Sequence, residues 1–273
     1  TDARWVTIPT NASLTNKMVS FLEEVLPRFP DTYFRLTFSI EGIGDDHDTL
    51  RSMPGSYKKI QKSYDIISPL RAKYPNLVLD CNSVFTASSE IYLLDALKTI
   101  NKNFKFDNMS VTYARGVIKD ESLKNVSKDR YKLINEFLEK REKTKEKRLL
   151  YPLWRAVNTV SRENLMTTVF DDKFVTSCVA GRKLLVISET GEVQPCEILG
   201  KSIGNLRNHD WDLTKLLKEN SVNQMQKWIK DTKCKCSFEC ALAANVVWKP
   251  KNYPKVLSAA FKNIGKSMVD HSK

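Results

Sequence analysis

The chain has 273 residues, of which 41% are hydrophobic and 10% aromatic, enough for a sizeable buried core and too apolar for wholesale disorder. Its formal net charge of +12, from 44 Lys and Arg against 32 Asp and Glu, favours acidic partners. No stretch approaches the roughly 18 apolar residues that span a bilayer, so a membrane partner is excluded from the reading. Trp5–Pro9 reads as a strand that enters a loop at Thr10, Asn11 and Ala12. Met18, Phe21, Leu22 and Val25 then recur at helical spacing. Phe34–Ile40 is a second strand, followed by a polar loop from Glu41 to Gly55. Tyr57, Ile60, Tyr64 and Ile67 form another helical stripe, which Pro69 helps to end. Leu77–Phe85 is a third strand, and Ser88 or Ser89 can cap a helix carrying Ile91, Leu94 and Leu97. Met109–Tyr113 is a fourth strand that ends at Arg115 and Gly116.

Four strands alternating with helices imply parallel βαβ units, either an open doubly wound sheet or part of a barrel. In such sheets functional residues gather where strands end and helices begin. Asn11, the segment Ser39 to Arg51, Asn82 and Arg115 occupy such places. From about 120 to 172 the pattern is helical and charged, with Tyr131, Ile134, Phe137 and Leu138 as its apolar stripe and Pro152 as an interruption. The run Glu139–Arg148 mixes both signs at helical spacing, which points to a solvated helix face and not to a nucleic-acid patch. The last hundred residues carry short strands at Lys183–Ser188 and Glu192–Pro195 around a Thr190–Gly191 turn.

Cys81 stands alone in an apolar strand and reads as a buried structural thiol. Cys178, Cys196, Cys234, Cys236 and Cys240 crowd the C-terminal part. A chain of this size without a secretory signal needs no disulfide framework, so clustered thiols point to a metal. Gly191 suits a hairpin turn, which can bring Cys178 and Cys196 toward one site. Spacing alone leaves structural zinc and an iron–sulfur cluster equally open.

The stretch Cys178–Gly181, then Val186 to Glu197 with Gly191 and Cys196, then Ile203–Leu206, resembles the SPASM or "twitch" domain of radical S-adenosylmethionine (SAM) enzymes. That resemblance extends through the cysteine-rich loop to about Trp248 and implies an auxiliary [4Fe–4S] cluster. Independently, Phe38-Ser39-Ile40-Glu41-Gly42, with His47-Asp48 and Arg51 following, resembles the SAM-binding stretch of the same family. By resemblance Ser39 hydrogen-bonds the ribose or methionine part of SAM, and Arg51 pairs with the methionine carboxylate. Asn11 falls in a Thr-Asn-Gly-like turn in which Ala12 replaces the glycine. His47 reads as a structural residue of this loop, while Asp80 and Glu41 read equally as ordinary polar positions or as an acid or base.

The resemblance implies an α/β fold: a partial TIM-like radical SAM barrel of about four βα units over 1–120. A helical bridge over 121–172 and a small α+β SPASM/twitch domain over 173–273 would follow. The Cys-x3-Cys-x2-Cys loop that holds the radical-generating [4Fe–4S] cluster is absent from the sequence, as is the Gly-Gly-Glu-Pro stretch. The expectation is therefore a fragment, inactive by itself, of a cytoplasmic enzyme. The whole enzyme would reductively cleave SAM to a 5′-deoxyadenosyl radical and modify a peptide or small molecule, with ferredoxin or flavodoxin as reductant. One cluster is expected, with Cys178, Cys196, Cys236 and Cys240 as preferred ligands and Cys234 the fifth thiol. The alternative is a non-catalytic zinc or iron–sulfur module that binds a peptide or nucleic acid.

Overall fold

A computed structural model describes residues 3–143 and 151–270. The end of the mixed-charge run, 144–148, lies outside the described residues. The chain divides into two compact units, one of Thr1–Thr112 with Asn125–Leu138, the other of Tyr113–Lys124 with Glu139–Lys273.

The first unit alternates β1 (Trp5–Thr10), α1 (Thr15–Arg28), β2 (Tyr33–Ser39), α2 (Asp45–Leu50), α3 (Ser56–Ile67), α4 (Leu70–Lys73), β3 (Leu77–Phe85), α5 (Leu93–Asn103) and β4 (Asn108–Tyr113). The helix α6 (Lys128–Lys143) begins in it. The four strands form one sheet in the order β1-β2-β3-β4. β1 pairs with β2 and β2 with β3 in parallel, with Thr10 opposite Phe38 and Ser39 opposite Asn82. Because the order never reverses, each crossover steps the same way. These four strands are therefore wound in one direction.

Alternation along β2 sorts its side chains by face. Phe34, Leu36 and Phe38 are buried, and Phe38 meets Phe106 and Tyr64 at ring-centroid distances of 5.5 and 6.2 Å. Arg35, Thr37 and Ser39 point the other way, on a face that also carries Asp80, Asn82, Ser110 and Thr112. Arg35 Nε pairs with Asp80 at 2.9 Å, and Asn82 Oδ1 accepts the hydroxyls of Ser110 and Thr112 at 2.8 and 2.9 Å. A parallel sheet is ordinarily apolar on both faces. Here one face is polar and cross-linked by hydrogen bonds.

Helix stripes differ in detail from the periodicity. In α1 the buried pair is Leu22 and Leu26, while Phe21 is exposed. α5 starts at Leu93 and buries Leu93, Ala96, Leu97 and Ile100, which leaves Ile91 outside at 73% exposure. Ser89 does not cap this helix directly; its hydroxyl accepts from Thr86 N–H at 3.1 Å and secures the preceding turn. The polar loop after β2 contains α2, with Asp45, Asp46 and Asp48 in its first turn. Carboxylates there suit the positive end of the helix dipole.

The second unit comprises α7 (Tyr151–Phe170), β5 (Val186–Ile187), β6 (Glu192–Gln194), β7 (Gly204–Asn205), α8 (Leu213–Leu216), α9 (Asn220–Asp231), α10 (Glu239–Trp248) and α11 (Tyr253–Asp270). Pro152 is the second residue of α7 as described, next to the undescribed residues 144–150. β5, β6 and β7 form a small antiparallel sheet. Gly191 makes the β5–β6 turn at φ 84°, and its N–H donates to Ser188 O at 3.0 Å. Among the described residues no helix is long and apolar enough to cross a membrane.

Candidate functional site

Asn11, Ser39 and Arg51 all lie near the C-terminal edge of the parallel sheet. Asn11 is one residue past β1, and its Oδ1 accepts from the backbone N–H and hydroxyl of Ser13 at 3.1 and 2.8 Å, an Asx turn. The neighbouring Ala12 adopts φ 58° while fully buried. Its N–H donates to Thr10 Oγ1 at 3.0 Å, and its carbonyl accepts from Ser63 Oγ at 2.9 Å. The turn expected for glycine thus forms with alanine in it. Ser39 ends β2, half-buried on the polar face.

Arg51 caps the C-terminal end of α2 and is engaged by Glu41, with Nη2 at 2.6 Å from Oε1. Glu41 is buried, which pushes its carboxyl upward; the N–H of Val84 and the charge of Arg51 oppose that shift. His47 is buried as well. Its Nδ1 accepts the Glu41 N–H at 3.0 Å, and desolvation, aided by Arg51, lowers its pKa to about 4. It is a neutral, structural imidazole. Asp48 accepts from Gly55 N–H, Ser56 Oγ and Tyr57 N–H at 2.5, 2.8 and 2.8 Å, which holds the start of α3. Asp80 is committed to Arg35 and to Asn108, and Cys81 is fully buried as expected.

The second unit gathers thiols. Cys178 lies in the loop before the small sheet, Cys196 two residues beyond β6, and Cys234 and Cys236 between α9 and α10. They surround an apolar cluster in which Cys196, Ala180, Ile229, Phe238 and Ala241 are buried, with Cys178, Cys234 and Cys236 packed against it. All are free thiols. Burial raises the pKa of Cys178 and Cys234 and pushes Cys236 up to about 11; the neighbouring thiols add to the shift at each. The Cys178 loop is pinned by Asn245, whose Oδ1 accepts the Val179 N–H at 2.8 Å.

Cys240 is exposed, unlike the other four. Its charged neighbours include Arg115, Glu239 and Glu197. Arg115 bridges Glu197 at 2.6 Å and Glu239 at 3.0 Å and lies over the Phe238 ring at 4.7 Å. Glu239 also accepts the Tyr113 N–H at 2.5 Å, and burial raises its pKa to about 6. The sequence marked Arg115 as a strand-end residue, but its two carboxylate partners are 82 and 124 positions away and gave no local signal.

Among the described residues no three His, Cys, Asp or Glu side chains converge on a position for a metal ion. A tetrahedral zinc with Zn–S bonds of about 2.3 Å would draw its thiolates to roughly 3.8 Å of one another. Four thiols in apolar surroundings, with no carboxylate or imidazole among them, are a donor set that an iron–sulfur cluster or a structural zinc takes.

No family model matches the chain, and no curated protein matches it. Solved structures do. A hexahistidine-tagged anSMEcpe with bound AdoMet aligns with TM-score 0.52 and 15% identity over 96% of this chain and 71% of that one. Native anSMEcpe with bound AdoMet aligns with TM-score 0.50 and 17% identity, over 96% and 74%. Native anSMEcpe with AdoMet and Cp18Cys peptide gives 0.51 and 16%, over 98% and 76%. The chain shares the fold of these anSMEcpe structures. At such identities the likeness speaks for the fold alone.

Proposed function

We propose that the chain is part of a radical SAM enzyme and retains two of its cofactor sites: a partial SAM pocket and one auxiliary [4Fe–4S] cluster. The observation that carries this reading is the convergence of Cys178, Cys196, Cys234 and Cys236 on one apolar cluster, in a chain whose other part has a parallel sheet wound in one direction. The SAM pocket lies at the C-terminal ends of β1 and β2, in a partial barrel over 1–120. The bridge over 121–172 leads to a SPASM/twitch-like domain over 173–273.

Each residue has a definite task in this reading. The Arg51 guanidinium takes the methionine carboxylate of SAM in a fork of parallel hydrogen bonds. Ser39 donates its hydroxyl to the ribose or methionine portion, and the Asn11 turn shapes the adjoining wall. Cys178, Cys196, Cys234 and Cys236 ligate the cluster as thiolates, so loading releases their protons. When bound, the cluster supplies one-electron transfer or a substrate contact. The whole enzyme would cleave SAM to a 5′-deoxyadenosyl radical. The peptide held by anSMEcpe in one of its structures supports a peptide as the substrate class. The net charge of +12 suits an acidic cytoplasmic reductant such as ferredoxin or flavodoxin.

The test is metal analysis of the chain purified and reconstituted without oxygen. Brown protein with about four irons and matching sulfide per chain is expected. Colourless protein with stoichiometric zinc would overturn the cluster assignment.

A further inference from the structure

The geometry assigns Glu41 as the positioning residue for Arg51, holding the guanidinium ready for the ligand carboxylate. This rests on the reading of Arg51 as the carboxylate anchor. Glu41 is only 7% exposed and is fixed from three sides. Oε2 accepts the backbone N–H of Val84 in β3 at 2.6 Å, and Oε1 accepts Arg51 Nη2 at 2.6 Å. Its own N–H donates to the buried His47 at 3.0 Å. Beside it, the Ser83 hydroxyl donates to the Ile40 carbonyl and ties the end of β3 to the end of β2.

An exposed Arg–Glu pair orders two mobile side chains and gains little. Here the carboxylate is already immobile before it meets the guanidinium, so the pair directs Arg51. A ligand that grips a free arginine must first freeze its rotamers. Glu41 removes that cost beforehand. A guanidinium has five N–H donors, and the Arg51 side chain is still 36% exposed. An edge therefore remains for a second carboxylate, which Glu41 does not displace because Val84 holds it in place.

The test measures binding of two probes to the full chain by titration calorimetry: S-adenosylmethionine, and 5′-methylthioadenosine, which has the adenosine and thioether but no carboxylate. Glu41→Gln keeps the volume and one acceptor while removing the charge. Weakening on the order of tenfold is expected for S-adenosylmethionine, with methylthioadenosine unchanged. Glu41→Asp keeps the charge but is one methylene too short to hold Val84 and Arg51 together; the same selective loss is expected, and this variant decides if Glu41→Gln does not fold. Equal weakening for both probes, or none for either, overturns the positioning role. Selective loss in Arg51→Ala with none in the Glu41 variants overturns this inference and leaves the anchor reading standing. No selective loss in Arg51→Ala, or a wild-type chain that binds no S-adenosylmethionine, overturns both.

Discussion

Cys236 and Cys240 are four residues apart, yet their side chains answer to different neighbours. Cys236 is surrounded by Cys178, Cys234 and Cys196, whereas Cys240 faces Arg115 and two glutamates. Phe238 and the start of α10 separate them, with Phe238 buried in the thiol-lined cluster and Arg115 across its ring. Replacing Cys178, Cys196, Cys234 or Cys236 with serine should each remove most of the iron retained after anaerobic reconstitution. Cys240→Ser should retain it. Iron per chain, read with the visible spectrum, separates the two groups; loss in Cys240→Ser with retention in Cys234→Ser would reverse their assignments.

One of the bonds that pin the loop carrying Cys178 comes from a buried amide. Asn245 Oδ1 accepts the Val179 N–H, and Asn252 donates to the Asn245 carbonyl at 2.9 Å. Asn245 itself is 3% exposed. Asn245→Ala would leave a buried N–H unpaired, at a cost of about 1–3 kcal/mol. Asn245→Asp keeps the acceptor and should restore the loop. The expected pattern is lower stability and lower iron content in the alanine variant, with iron recovered in the aspartate variant. Full iron retention in Asn245→Ala would show that the loop holds without this bond.

Much of this was legible in the chain, for reasons that differ by element. The four parallel strands are continuous apolar or alternating runs bounded by polar residues, and the observed limits Tyr33–Ser39 and Leu77–Phe85 lie within one residue of those read from the pattern. In α6, Tyr131, Ile134 and Leu138 of the stripe are buried, while Phe137 is half-buried. α2 escaped notice because six residues with three aspartates present no apolar period; it is held by loop hydrogen bonds. Ile91 misled because α5 begins two residues later, at a turn secured by Ser89. The setting of Cys240 was not legible, since its neighbour Arg115 is remote in sequence. The same holds for the Glu41–Val84 bond, which only the parallel register of β2 and β3 brings about.

Ala12 is the clearest local departure from the expected glycine. At φ 58° an L-residue pays roughly 1 kcal/mol of strain, and its buried methyl returns about 0.8 kcal/mol. These nearly cancel. Ala12→Gly should therefore leave stability within about 1 kcal/mol of wild type. Ala12→Val should lose about 2–4 kcal/mol, because a branched side chain is an outlier at positive φ and the site is already fully packed. Urea denaturation of both variants checks the pair. Equal loss in the two would mean that packing at residue 12, and not backbone strain, governs the turn.

His47 makes the strongest pH prediction. Its folded pKa is lowered from 6.5 to about 4 because burial and Arg51 disfavour the imidazolium. Below pH 6.5 the unfolded chain therefore binds a proton that the folded chain refuses. The contribution of His47 is fully present above pH 6.5 and is lost as pH falls toward 4, by up to about 3 kcal/mol. Glu41, raised by burial, acts in the opposite sense: its contribution declines as pH rises above about 4.5, so it flattens part of the same window. Asp48, held low by its bonds to the start of α3, loses its contribution only below the ordinary aspartate range. His47→Gln can still accept the Glu41 N–H but cannot titrate. Urea melts between pH 4 and 7 should show wild type losing more stability on acidification than His47→Gln. Parallel curves for the two proteins would mean that His47 is protonated in the folded state, and that its bond from Glu41 is not what fixes the end of β2.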